Sequence, residues 1–228
     1  MSINSILRQL PMHSFRQEFI RFAIDQKVLC FGEYKTKAGR ISPYFFNAGL
    51  FNNGQSLKLL TQFYARAIVD SDIQFDMLYG PAYKGIPLAA GTAVALSDMG
   101  RNVPYCFNRK EVKDHGEGGN TIGATLKGNV LIIDDVISAG TSVRESIELI
   151  RQAGATPCAV VIALDRKELG TAKREQGGIS AVQEVERNYN IPVVSIASLD
   201  DLLEYLQNDQ EVSQFLSRVR SYREQYGV

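Results

Sequence analysis

Five short, mostly apolar runs do most to limit what this chain can fold into: residues 75–79, 103–107, 130–133, 159–164 and 193–196. A strand buried on both faces reads as a continuous apolar run, whereas a half-exposed strand alternates. Helical stretches separate the runs: residues 86–99, rich in small side chains, and 141–152, with Gly154 as the stop. Strands alternating with helices predict an α/β fold, a central mostly parallel sheet with helices on both faces. Further helical stripes cover 14–29, opened by a Ser14–Gln17 capping box, and 57–68, 199–206 and 212–226. Residues 32–53 break the pattern with glycines, Pro43 and short aromatic runs, so they predict one or two strands in a small N-terminal lobe.

Composition narrows the function. The sequence has 228 residues, 45% hydrophobic and 22% charged, with 25 Lys and Arg against 25 Asp and Glu. That excludes a disordered chain and supplies no general field for nucleic acid. No apolar run approaches the roughly 18 residues of a membrane helix, and the first residues lack the pattern of a signal peptide. Cys30, Cys106 and Cys158 are scattered, with no CxxC, and suggest neither a disulfide framework nor a zinc site. The cytoplasm is the default location.

In open α/β sheets, ligands bind at the carboxyl ends of the strands. The segment 130–142 ends an apolar run in Asp134 and Asp135, then passes through Val136, Ile137, Ser138, Ala139, Gly140, Thr141 and Ser142 into a helix. Such a turn aims N–H groups at an anion, and hydroxyls reinforce it. Carboxylates repel a phosphate but suit the hydroxyls beside it, so a sugar phosphate fits both. The plain alternative is that Asp135 and Ser138 cap the helix. A second turn of this kind, Gly80-Pro81-Ala82-Tyr83-Lys84-Gly85, carries a lysine and is no Walker A loop. Residues 108–125 are polar and glycine-rich, with Arg109, Lys110, Lys113 and His115, and predict a mobile loop able to close over a polyphosphate. Lys37 and the Ser42–Asn47 segment add an aromatic pair, Phe45 and Phe46, that can stack a flat heterocycle, unless one of them is core. Arg166, after the run 159–164, suits a substrate carboxylate.

The segment 132–142 resembles the phosphoribosyl-pyrophosphate motif of type I phosphoribosyltransferases. Together with segments 42–47, 80–85 and 109–116 it is similar to the bacterial orotate phosphoribosyltransferases, from about Ser14 onward. The resemblance implies one phosphoribosyltransferase domain over residues 1–228, a hood at about 14–54 and a mobile catalytic loop at about 108–125. It implies transfer of the ribosyl 5-phosphate group from 5-phosphoribosyl 1-pyrophosphate to orotate. The products are orotidine 5′-monophosphate and pyrophosphate, in de novo pyrimidine (UMP) biosynthesis. Matched motif by motif, Lys37, Tyr83, Lys84, Arg109, Lys110, Lys113 and His115 contact the diphosphate donor, some of them from the partner subunit of a dimer. Asp134 and Asp135 hold the ribose hydroxyls, Ser138 to Ser142 hold the 5′-phosphate, and Val136 and Ile137 also contact the donor. Phe45, Phe46, Ser138 and Arg166 place orotate. Lys113, Asp134 and Asp135 are the expected catalytic residues. The resemblance also implies Mg2+ carried mainly by the substrate, and a homodimer whose active sites are shared between subunits, with no nucleic acid or membrane partner. Ser138 stands where a threonine is common, the stretch 170–178 is longer than in close relatives, and residues 1–13 are extra. A purine-specific transferase and a non-catalytic regulator are the rivals. The aromatic pair with Arg166 argues against the first, and the absence of a helix-turn-helix pattern or basic face against the second.

Overall fold

The computed structural model describes residues 12–36, 39–113, 119–138, 140–170 and 178–228. The elements run α1 (Met12–Asp25), β1 (Leu29–Lys35), β2 (Ile41–Phe46), α2 (Gly54–Asp70), β3 (Met77–Gly80), α3 (Gly85–Asp98), β4 (Tyr105–Lys113) and β5 (Gly119–Gly123). They continue with β6 (Asn129–Ile133), α4 (Thr141–Gln152), β7 (Thr156–Asp165), α5 (Ala181–Tyr189), β8 (Val193–Ser198), α6 (Leu199–Asn208) and α7 (Leu216–Tyr226). Among the described residues no helix is long and apolar enough to cross a membrane.

The main sheet has six strands in the order β5-β4-β3-β6-β7-β8. Its strands pair in parallel except β5, which runs antiparallel to β4 at the edge. Pleating sends alternate residues to opposite faces. Leu131 and Ile133 therefore enter a core with α1, α2, α3, α6 and α7, while Val130 and Ile132 enter a second with α4 and α5. A sheet apolar on both sides needs both helical layers, which is why its strands read as unbroken apolar runs.

The order of the strands creates a crevice. From β3 the chain crosses through α3 to β4 on one side. From β6, the other neighbour of β3, it crosses through α4 to β7 in the opposite direction. The helices α3 and α4 lie on opposite faces. The connections leaving β3 and β6 thus diverge at the carboxyl edge, and the space between them is a topological switch point.

The hairpin β1–β2 forms a separate two-stranded sheet, the small lobe expected from residues 32–53. Packing from the C-terminal helices holds it. Phe31 stacks on Phe215 at 4.6 Å, and the Tyr44 ring meets Tyr222 edge-on at 6.3 Å. The segment after α7 returns to the strand ends: Leu169 N–H donates to Tyr226 O (2.8 Å), and Val228 N–H to Lys167 O (3.0 Å).

Three sequence expectations need correction, and one helix is additional to them. The first helix already covers Met12–Asp25, so Ser14 lies within it and not at the boundary ahead of it. The segment 108–125 is in large part strand. β4 continues to Lys113 and pairs with β5 through Asn108↔Thr121 and Lys113↔Gly119, around an irregularity. Its apolar periodicity fades past Phe107, where the pairing with β3 ends and β4 runs on beside the edge strand β5; residues 114–118 lie outside the described ones. The 212–226 stripe starts as a 3-10 turn, Ser213–Phe215, before α7. Helix α5 went unread, although Ser180 and Gln183 form a reciprocal capping box at its start.

The β3–α3 turn has no room for side chains at its ends. A Cβ on Gly80 would overlap the Gly85 carbonyl, and one on Gly85 would sit 2.5 Å from Pro81 Cδ. Gly80→Ala should therefore cost on the order of 1–3 kcal/mol, as overpacking of a closed site does. Urea unfolding reads this directly, and a variant as stable as the parent would show that the turn can relax.

Candidate active site

Two strand ends meet at the crevice. β6 delivers Asp134 and Asp135, each only 7% exposed. Their backbone is pinned to β7 by two hydrogen bonds: Asp134 N–H donates to Val161 O (3.0 Å), and Ala163 N–H to Asp135 O (2.9 Å). From beneath, the buried Tyr64 hydroxyl of α2 donates to Asp134 O at 2.7 Å. Asp134 Oδ1 accepts from Asp135 N–H (2.9 Å), and Oδ2 from the Ser142 hydroxyl (3.0 Å). Asp135 Oδ2 instead pairs with Lys84 Nζ at 2.6 Å, a link straight across the crevice between the two turns.

This placement sets the electrostatics. Burial, and next the charge of Asp135, push the Asp134 carboxyl up to about 6; hydrogen bonds from Asp135 N–H and Ser142 oppose the rise. Asp134 is thus held charged at neutral pH against its surroundings. Such a carboxylate gains from any hydroxyl or developing positive charge placed beside it.

The turn before α4 matches an anion site. Gly140 is the N-cap in a left-handed conformation (φ +68°), with no side-chain cap hydrogen bond. Helices α2, α5 and α6 all begin with capping boxes. The orphan N–H groups of α4 are therefore left for a guest, and neither Asp135 nor Ser138 is spent as a cap. Ser138 and Thr141 are exposed, whereas the Ser142 hydroxyl serves Asp134. Val136 packs toward one core and Ile137 toward the other.

In the second turn, Ala82 N–H donates to Asn108 Oδ1 (2.6 Å), which fastens the turn to β4. Tyr83 is 69% exposed, with Lys110 Nζ 5.0 Å from its ring centroid. Arg109 is part-buried. Lys113 ends β4, and its backbone alone is described; Lys37, His115 and Ala139 lie outside the described residues.

The third strand end brings in Arg166, just past β7. Its Nε and Nη2 donate to Glu168 Oε1 (2.8 and 2.6 Å), and Nη2 also to Ser42 Oγ (3.1 Å). Its guanidinium carbon lies 4.7 Å from the Tyr44 ring centroid. Ser42 and Tyr44 belong to β2, so the small lobe is tied to this edge. Alternation along β2 separates the aromatic pair. Phe45 is 43% exposed and stacks on Tyr34 (5.3 Å), while Phe46 is buried against Phe19 (6.4 Å). The Phe46 ring therefore belongs to the core, and only Phe45 has an accessible face.

Tyr64, Asn108 and Glu168 escaped the sequence reading. Tyr64 looked like any core aromatic of a helical stripe, and its hydroxyl was the only hint. Asn108 acts through Ala82, 26 residues away in sequence, and Glu168 through the fold of the turn after β7. Among the described residues no group of three or more His, Cys, Asp or Glu side chains converges as a metal cage.

An open α/β sheet with carboxylates and an uncapped helix end at its switch point has the donors and acceptors that suit a sugar phosphate. Comparison with known proteins gives the family. The model of the phosphoribosyl transferase domain matches residues 49–194, starting where the small lobe ends. The orotate phosphoribosyltransferase of Thiobacillus denitrificans is 63% identical over 217 residues, 95% of this chain and 100% of that protein. That of Neisseria meningitidis is 64% identical over the same shares. The crystal structure of the Francisella tularensis enzyme superposes with a TM-score of 0.83 at 39% identity, covering 92% of this chain and 100% of that one. The chain belongs to the orotate phosphoribosyltransferase family of transferases.

Asp134 has a stability cost that is opposite in direction to its use. A carboxyl whose folded pKa is raised stabilises the fold most below its unfolded value, near 4, and loses that contribution as the pH rises through about 6. An asparagine here keeps an acceptor for Asp135 N–H and can donate to the Ser142 hydroxyl. Asp134→Asn should therefore raise Tm by roughly several degrees at pH 8. The gain should vanish toward pH 4, and activity should be lost. A Tm difference independent of pH would contradict a buried, strained charge.

Proposed function

We propose that this protein transfers the ribosyl 5-phosphate group of 5-phosphoribosyl 1-pyrophosphate to orotate, in pyrimidine (UMP) synthesis. The observation that carries the reading is the Asp134–Asp135 pair at the switch point, flanked by the uncapped α4 turn and by Lys84. The relatives named above act as orotate phosphoribosyltransferases.

In this reading the donor's 5′-phosphate sits on the turn from Val136 to Ser142, against the free N–H groups and the Ser138 and Thr141 hydroxyls. Asp134 and Asp135 accept hydrogen bonds from the ribose hydroxyls. The diphosphate lies toward Tyr83, Lys84, Arg109 and Lys110, with Lys37, Lys113 and His115 as further contacts. Lys84 exchanges its pairing with Asp135 for the phosphates, which frees that carboxylate for the ribose. A ring nitrogen of orotate attacks C1′, the bond from C1′ to the diphosphate oxygen breaks, and pyrophosphate leaves. Positive charge on the ribose ring peaks between these events, facing the two carboxylates. Catalysis then rests on positioning and preorganised charge, with no covalent intermediate on the protein.

Phe45 and the Phe46 backbone flank the base, together with Ser138, and Arg166 pairs with its carboxylate. Magnesium fits this donor set: hard oxygen ligands come from the diphosphate and ribose, with the carboxylates close by. Bound there, it supplies charge neutralisation to the leaving pyrophosphate. We place the protein in the cytoplasm, which suits its three free cysteines.

We further propose a homodimer in which each β4–β5 ribbon reaches the neighbour's site. Support comes from the ribbon's position at the sheet edge and from the exposed Tyr83 beside its Lys110.

Two measurements test these readings. Pyrophosphate release should require orotate and magnesium; release with a purine base and not with orotate would overturn the substrate. Lys113→Ala and Asp134→Asn should each be nearly inactive, yet mixing them with subunit exchange should restore about a quarter of wild-type activity. In a mixed dimer, one site then holds both intact residues. No recovery, with exchange verified, would place Lys113 in its own subunit's site.

A further inference from the structure

Arg166 carries more contacts than substrate pairing alone requires. Glu168 Oε1 takes both Nε and Nη2, and Ser42 takes Nη2 again. The Tyr44 ring covers one face of the guanidinium. The Arg166 side chain is 19% exposed and that of Glu168 17%, so the pair is largely out of water. One edge and one face of the guanidinium are thus occupied by the protein, and its Nη1 is the nitrogen outside these bonds.

The chain around Glu168 is itself braced. Asp165 Oδ1 accepts from Lys167 N–H (2.8 Å), closing a turn in which Lys167 adopts a left-handed conformation (φ +47°). Glu168 bridges to Gly227, and Arg40 of the small lobe donates to Leu169 O (2.9 Å) and Gly170 O (3.1 Å). The Tyr44 hydroxyl lies 3.5 Å from the same Glu168 oxygen. The carboxylate is therefore presented from a fixed backbone, on which three parts of the fold converge.

We infer that Glu168 is a positioning residue for base recognition: it supplies the buried countercharge of Arg166 and clamps its guanidinium so that Nη1 faces the orotate carboxylate. The inference rests on the assignment of Arg166 to that carboxylate. A largely buried guanidinium needs a partner charge, and without one it turns away or draws in water. A fork held on one side is also preorganised, so less rotamer freedom is lost when substrate binds. Glu168 does not compete with orotate for the same nitrogens, because it binds the Nε–Nη2 edge and leaves Nη1.

Steady-state kinetics on the intact protein test this. Glu168→Ala should raise the orotate KM by about tenfold or more, with the donor KM changed less than about twofold. Glu168→Gln keeps an acceptor oxygen but no charge, and should fall between Glu168→Ala and the parent. In an Arg166→Ala background, Glu168→Ala should add nothing further to the orotate KM, since its effect passes through the guanidinium. General structural damage would instead persist in that background and would move both KM values. An unchanged or lowered orotate KM in Glu168→Ala, alongside a raised one in Arg166→Ala, overturns the clamp and leaves the Arg166 assignment standing. An unchanged orotate KM in Arg166→Ala overturns the assignment itself.

Discussion

The buried carboxylate pair at the end of β6 is the constraint around which the site is arranged. Asp134 is kept charged where water is scarce, and three elements hold it there: Tyr64 of α2 below, Val161 of β7 alongside, and Ser142 of α4 above. Removing charge from solvent is unfavourable, and the Asp134 carboxyl is pushed up accordingly. That expense is what makes the pair useful. Two preorganised negative groups beside a sugar ring need no reorganisation when positive charge appears on it.

The topology explains why opposite charges can share so small a space. Because α3 and α4 leave the sheet toward opposite faces, the β3 and β6 turns open away from each other. One turn brings Lys84 and the other brings Asp135, and they neutralise each other at 2.6 Å. A phosphorylated ligand can take over the lysine while its hydroxyls take over the carboxylate. Backbone N–H groups at Gly140 and beyond then receive a phosphate that the carboxylates alone would repel.

The small lobe is tied to this edge by the Arg166 cluster. Its hairpin lies outside the main sheet and gains its position from Phe215, Tyr222 and the contacts of Ser42 and Arg40 with residues 166–170. Specificity for a base is thereby separated from the handling of the sugar phosphate. In the proposed assignment the sheet ends and their turns serve the second, and the lobe with the β7 end serves the first.

The sequence by itself determined the sheet and its main turns. Strands covered on both faces must be apolar throughout, so β3, β6, β7 and β8 were legible, as were Asp134, Asp135, Lys84 and the glycines that let the turns close. Family motifs added the reaction. Tertiary structure decided the rest. The strand character of 108–113 was hidden because, past the pairing with β3, this part of β4 runs on at the sheet's edge beside β5 and has no apolar period to display. Alternation made one of Phe45 and Phe46 core, but only the packing of β2 showed that it is Phe46. Tyr64, Asn108 and Glu168 matter through partners 70, 26 and 2 residues away in sequence. Even the nearest of these depends on where the turn after β7 places a carboxylate. Hydrogen bonds depend on distance and direction in space, and a sequence pattern records neither.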